Sequence, residues 1–297
     1  LGSNLSDSKN LVIYFAGGGA CWDATTCLVV NSSAHGPFTE ASFSSLRDSA
    51  LPGSILDRDL ANNPYKDWNL FFLPYCTGDL HIGDADRQYT ANGTTKTIHH
   101  RGRANTQAFL ARIAATQPEP EQVLVTGSSA GGFGAALNYV LVRQTFPKAR
   151  VFLVDDAGPL FKSGALPANL RAAWAQAWNY DAVLNEIGAE AKEDFSAVYP
   201  ALARKFPEDR MALLSSLRDR TIRAYFNLSP AAFETALTDL DTTVIAPLPH
   251  TRTFLVSGEG HTLLSRPEGQ SAQGVRLLEW LGRMHTAADT DWKSVRP

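Results

Sequence analysis

The stretch Val123-Leu-Val-Thr-Gly-Ser-Ser-Ala-Gly-Gly132 decides how this chain is read. Val123-Leu-Val-Thr126 is a short continuous run suited to a buried strand, and from Ala130 to Val142 the pattern is helical. Between them Gly127-Ser128-Ser129-Ala130-Gly131 matches G-x-S-x-G. Alone the motif is weak. With a strand before it and a helix after it, the setting is that of a nucleophile elbow. There a sharp turn exposes the serine hydroxyl at the end of the sheet, and close backbone approach demands small neighbours, which Ala130, Gly131 and Gly132 supply. The helix start also aims N–H groups and a positive dipole end at the reacting centre. The competing reading is a phosphate-binding turn, but the run lacks G-x-G-x-x-G and no Gly-Lys-Ser/Thr follows.

Outward from the elbow, further strands are expected at Leu11–Phe15, Leu70–Leu73, Val151–Val154, Met211–Leu214 and Thr253–Val256, with a helix over Arg103–Ala115 and a last helix starting at Val275. Strands alternating with helices predict an α/β fold, a mainly parallel sheet with helices on both faces. The stretch 159–209, with Trp174, Trp178, Tyr180 and Tyr199, reads as a helical insertion after the strand ending at Val154. The expectation is a single domain over 1–297.

An elbow serine takes its partners in the order Ser, Asp or Glu, His. His261 follows the Thr253–Val256 strand through the loop Ser257-Gly-Glu-Gly260 and is the expected base. His35, His81, His99 and His100 precede the serine, His250 lies at the wrong end of the strand, and His285 lies beyond the last helical run. Candidate acids are Asp155, Asp156 and Asp219, with Asp239 and Asp241 further outside. The usual position, two strands after the nucleophile strand, selects Asp219, although its neighbours Arg218 and Arg220 also fit a surface ion-pair cluster. An oxyanion hole needs backbone donors. Ala130 supplies one, and the run Gly17-Gly18-Gly19 after the first strand is placed to supply others.

Composition bounds the rest. The chain has 297 residues, 44 % hydrophobic and 19 % charged, a globular composition rather than a disordered or disulfide-scaffold one. A net charge of −3 gives no nucleic-acid footprint, and no apolar run is long enough for a transmembrane helix. Three cysteines, Cys21, Cys27 and Cys76, leave one thiol free if two pair, and their spacing is not a zinc pattern. No cofactor or metal is expected. The chain starts at Leu1 rather than Met, which reads as a processed product with any signal peptide upstream.

Four blocks resemble the pectin acetylesterase/Notum family of α/β-hydrolases. They are Tyr14-Phe-Ala-Gly-Gly-Gly-Ala-Cys-Trp22 with Cys27; Asn63-Pro64 through Phe72-Leu-Pro-Tyr-Cys76 with Gly78-Asp79; Gly127-Ser-Ser-Ala-Gly-Gly132; and Asp156-Ala-Gly158. The resemblance implies an α/β-hydrolase fold with Ser129 as nucleophile, His261 as base and Asp219 as acid. It implies oxyanion donors at Gly18, Gly19 and Ala130, and a Cys21–Cys27 disulfide, hence a secreted or periplasmic protein. Several relatives carry a large residue where this chain has Gly19, which implies a roomier acyl pocket here unless Trp22 fills it. Trp22, Asp79 and His81 are candidate substrate contacts, with packing as the other reading of Trp22 and a loop hydrogen-bond network as that of Asp79 and His81, whereas Trp174 and Trp178 read as packing residues. The expected function is a serine esterase acting on an ester substrate, most simply O-acetyl groups of a polysaccharide such as pectin. An esterase for longer acyl or polyester substrates and a non-catalytic carbohydrate-binding protein are the alternatives.

Overall fold

A computed structural model describes residues 1–286, 288 and 290–297. In chain order its main elements are β1 (Gly2–Asn4), β2 (Asn10–Phe15), α1 (Glu40–Ser49), β3 (Asn69–Leu73), β4 (Ala85–Ala91), β5 (Thr94–His100), α2 (Gly102–Thr116), β6 (Gln122–Ser128), α3 (Ala130–Leu137), α4 (Tyr139–Thr145) and β7 (Arg150–Asp156). Then follow α5 (Ala168–Trp178), α6 (Asp181–Ile187), α7 (Glu190–Glu193), α8 (Val198–Lys205), β8 (Arg210–Ser216), α9 (Arg220–Tyr225), α10 (Pro230–Asp239), β9 (Thr251–Val256) and α11 (Leu277–Thr286).

Seven strands form one sheet in the order β1-β3-β2-β6-β7-β8-β9. All neighbours are parallel except β1, which runs antiparallel to β3. Consecutive residues of β6 and β7, such as Val123, Leu124 and Val125 or Val151, Phe152 and Leu153, are all buried. Burial on both faces is why these strands read as continuous apolar runs rather than alternating ones. The serine motif thus sits at the carboxyl end of the middle strand, where open α/β sheets place their sites.

Three expectations shift. The helix expected over Ala130–Val142 is two helices, because buried Asn138 leaves helical geometry at φ −97°, ψ 7°. Its side-chain amide donates to the carbonyls of His81 and Gly134, and its amide oxygen accepts from Arg103. The last helix starts at Leu277, not Val275, since Val275 and Arg276 pair with Ala272 and Ser271. The β4–β5 hairpin was not expected at all. It turns at Asn92-Gly93, both at positive φ, a pair suited to a tight hairpin turn. The stretch 159–209 is helical as expected, carrying α5 to α8.

Candidate active site

Ser129 occupies the turn between β6 and α3 at φ 60°, ψ −124°, a strained conformation for a residue with a side chain. The turn fits only because its neighbours are small: a Cβ on Gly131 would lie 1.9 Å from the Phe15 carbonyl oxygen. Ser129 N–H donates to the Asp156 carbonyl at 2.8 Å. Its hydroxyl does not cap α3 and bonds no other described residue, so it is left for a ligand.

The glycine run after β2 lies against this turn. A Cβ on Gly17 would come 3.2 Å from Ser129 Cβ. Gly19 and Ala130 line the same pocket as Ser129, with Gly18 one residue behind, against Tyr75. The N–H groups of Gly18, Gly19 and Ala130 donate to no oxygen among the described residues. Unpaired backbone donors beside a free hydroxyl are the raw material of an oxyanion hole. Cys21 and Cys27 form a disulfide just beyond this loop, and Cys76 is a free thiol.

Of the candidate acids only Asp219 meets His261. His261 Nδ1 lies 2.8 Å from Asp219 Oδ2 and 3.1 Å from Oδ1. A carboxylate at Nδ1 holds the proton there and leaves Nε2 as acceptor. Asp219 is 0 % exposed, and its Oδ1 also accepts from Thr221 and Ile222 N–H at the start of α9. The two loops are laced together, Arg218 N–H to the Gly258 carbonyl and Arg220 N–H to the Glu259 carbonyl. Arg218 does form a surface ion pair, but with Glu234, and Asp219 lies buried behind it. Asp239 pairs with Lys162, and Asp241 with Arg296.

Asp156 has a different task, which the sequence reading missed. Its Oδ1 accepts from Leu263 N–H at 2.8 Å, and its Oδ2 from Leu264 N–H at 2.9 Å and Ser128 Oγ at 2.6 Å. Tyr14 donates in turn to Ser128 Oγ. One buried carboxylate therefore joins the serine turn to the loop that carries His261. Burial raises its pKa to about 6, held from going higher by those donors. Asp155, beside it, accepts from Tyr199 and is pushed well above the usual carboxylate range by burial.

Other candidates fall elsewhere. Asp79 and His81 are 0 % and 3 % exposed and do not face the pocket. Asp79 accepts from Thr77 Oγ1, His81 N–H and Gly102 N–H, and so holds a turn in which Leu80 and His81 both have positive φ. That turn projects Leu80, rather than either polar residue, into the pocket. His81 donates from Nε2 to the Ala16 carbonyl, and burial lowers its pKa to about 4.

The pocket beside Ser129 is walled by Leu80, Phe133, Trp174, Ile222, Tyr225 and Phe226. Its free volume is only about 20 Å³. The space expected from Gly19 is filled: a Cβ there would meet the Ser32 carbonyl oxygen at 2.1 Å and the Tyr225 hydroxyl at 2.4 Å. Trp22 does not fill it either. It lies outside, its ring packed on Trp174 with centroids 6.0 Å apart, and Trp174 is the pocket wall. Trp178 packs as expected, its indole N–H donating to the Cys21 carbonyl. Among the described residues no cluster of His, Cys, Asp and Glu could hold a metal ion, and no helix is long and apolar enough to cross a membrane.

A seven-stranded, mainly parallel sheet with a strained serine turn after its middle strand is the α/β-hydrolase fold. The chain belongs to the pectinacetylesterase family, whose model matches residues 2–202. It is 28 % identical to pectin acetylesterase 11 of Arabidopsis thaliana over 155 residues, which are 52 % of this chain and 38 % of the plant protein. It is 26 % identical to the palmitoleoyl-protein carboxylesterase Notum of Schmidtea mediterranea over 163 residues, 52 % of this chain and 29 % of that protein. These matches thus span about a third of each relative's length. The structure of the Wnt deacylase Notum from Drosophila superposes with a TM-score of 0.67 at 17 % identity, covering 99 % of this chain and 88 % of that one. The family match stops before Asp219 and His261.

Proposed function

We propose that this chain is an exported serine carboxylesterase that removes acetyl groups from a polysaccharide such as pectin. The observation that carries the reading is the buried Asp219 carboxylate on His261 Nδ1, in the loop that Asp156 ties to the Ser129 turn. In this reading Ser129 Oγ attacks the ester carbonyl as His261 Nε2 takes its proton. The N–H groups of Ala130, Gly19 and Gly18 receive the developing oxyanion. His261 returns the proton to the leaving sugar hydroxyl, and water, deprotonated by the same nitrogen, releases acetate. Asp219 holds the imidazole orientation and stabilises its charged form.

The pocket supports a short acyl group. A single water needs about 10–15 Å³, so the void of about 20 Å³ beside Ser129 suits a methyl group and not a long chain. This favours acetate over the longer-acyl reading. The disulfide supports an oxidising compartment. The test is kcat/KM for p-nitrophenyl acetate, butyrate, octanoate and palmitate. Acetate should lead and octanoate should be lost. A palmitate preference would overturn the acyl assignment. Absence of turnover on every ester would favour the non-catalytic binding protein.

A further inference from the structure

A second groove opens beside Trp22, between the β4–β5 hairpin and α5, with about 590 Å³ of space. It is lined by Trp22, Asp23, Arg87, Tyr89 and Gln176 among others. Such a volume is typical of ligand sites, and the lining mixes aromatic and polar side chains with Ala173 and Ala177.

Trp22 is held there firmly. Its N–H donates to Thr26 Oγ1, and its carbonyl accepts from Tyr89 across the groove. The neighbouring Cys21 is tied by the disulfide, and the indole edge rests on Trp174. The backbone under Trp22 is thus pinned, and its partly exposed indole, packed on Trp174, offers a platform for the flat apolar face of a sugar.

Arg87 supplies the charge. Its Nη2 donates to the Gln176 carbonyl, and it has no carboxylate partner among the described residues. Its neighbours on the hairpin are differently placed: Arg101 is paired with Asp84 and Asp86, and His99 with Asp86. Asp23, the acid in the groove lining, is turned to the N–H and hydroxyl of Thr26. The Gln176 side-chain amide makes no hydrogen bond to a described residue and is exposed. A half-buried guanidinium with spare donors matches a carboxylate in fork geometry.

The groove adjoins the Ser129 pocket. Ala20 lines the pocket and Trp22 the groove, two residues on, at most about 7 Å along the chain or about one sugar unit. Trp174 is the wall between them.

We infer that this groove is a subsite for an acidic sugar adjacent to the esterified unit, with Trp22 as stacking platform, Arg87 as carboxylate clamp and Gln176 as a hydroxyl partner. The inference rests on the polysaccharide reading above and adds to it where the chain lies and which residues meet its sugars. Sulfated glycans fit less well, since one unpaired cation in a protein of net charge −3 is not a basic patch.

The test is calorimetric binding of unesterified tri-galacturonate and of neutral xylotriose, neither of which offers an ester. The wild type should bind the acidic trimer more tightly, and added salt should narrow the gap. Arg87→Gln should weaken tri-galacturonate on the order of 10-fold and leave xylotriose alone, and Arg87→Lys should recover part of the loss. Trp22→Ala should weaken both trimers by a similar factor. Melting temperatures of the variants report folding. Equal affinity for the two trimers, no binding of either, or an Arg87→Gln effect on both would overturn the subsite. Binding as expected without esterase activity on p-nitrophenyl acetate would sink the esterase reading and leave the subsite standing. Activity without trimer binding would do the reverse.

Discussion

Replacing Asp156 by Asn should cripple turnover while leaving a folded protein. The two side chains are the same size, but Asn has one acceptor atom where Asp156 uses two. The oxygens of Asp156 accept from Leu263 N–H, Leu264 N–H and Ser128 Oγ. With the amide nitrogen at the Oδ1 position, Leu263 N–H faces another donor. In the other orientation Leu264 N–H does, and Ser128, already accepting from Tyr14, must turn as well. Either way at least one buried N–H is unpaired, which costs about 1–3 kcal/mol. The residue before Leu263 makes the loss specific. Thr262 sits at φ 66°, a conformation that costs about 1–3 kcal/mol and persists only where its surroundings impose it. Releasing one of the next two amides lets Thr262 relax and moves His261 beside it. A displacement of about 1 Å at a catalytic group costs on the order of 100-fold. The expected outcome is a kcat for p-nitrophenyl acetate down about 100-fold at little changed KM, with unfolding free energy reduced by about 1–3 kcal/mol in urea. Ser128→Ala removes one of the three bonds but neither backbone contact, and should stay within about 5-fold in kcat. If Asp156→Asn loses the stability but keeps more than half of kcat, the carboxylate is a packing element and does not position His261.

Ser129→Ala should lower kcat by on the order of 1,000-fold or more without loss of fold, and survival of a tenth of the activity would remove Ser129 from the mechanism. Thiol titration of the denatured, unreduced protein should find one thiol, Cys76, and reduction should cost about 2–3 kcal/mol for so short a loop; three thiols would contradict this. His81 should make stability depend on acid. Burial holds its pKa at about 4, so from about pH 6.5 down to 4 the unfolded chain takes up a proton that the folded one refuses, and stability falls by about 1.4 kcal/mol per pH unit. His81→Gln can keep a donor to the Ala16 carbonyl and lacks that titration. Its deficit relative to wild type in urea melts should shrink by roughly 2–3 kcal/mol between pH 7 and 4.5. A constant gap would show that His81 is already protonated when folded.

The sequence by itself determined the elements whose instructions are contiguous. A fully buried parallel strand must be apolar at successive positions, so β2, β3, β6, β7, β8 and β9 all announced themselves. The serine turn tolerates only small residues on either side of Ser129. The chain order picked out His261 and the strand position Asp219, which the structure brings to 2.8 Å. The hairpin was also written locally, in Asn92-Gly93, but its strands are half exposed and carry no apolar pattern. Tertiary structure alone decided what depends on residues far apart in the chain. Nothing near Asp156 says that it will hold the amides of Leu263 and Leu264 across the sheet end, and between substrate contact and a loop network for Asp79 only the folded turn decides. The space beside Ser129 was misjudged for the same reason: Gly19 reads as a vacancy, and the Tyr225 hydroxyl and Ser32 carbonyl that fill it arrive from other loops. A local turn is specified by its own residues, whereas the volume of a pocket is specified by whichever side chains folding brings to its walls.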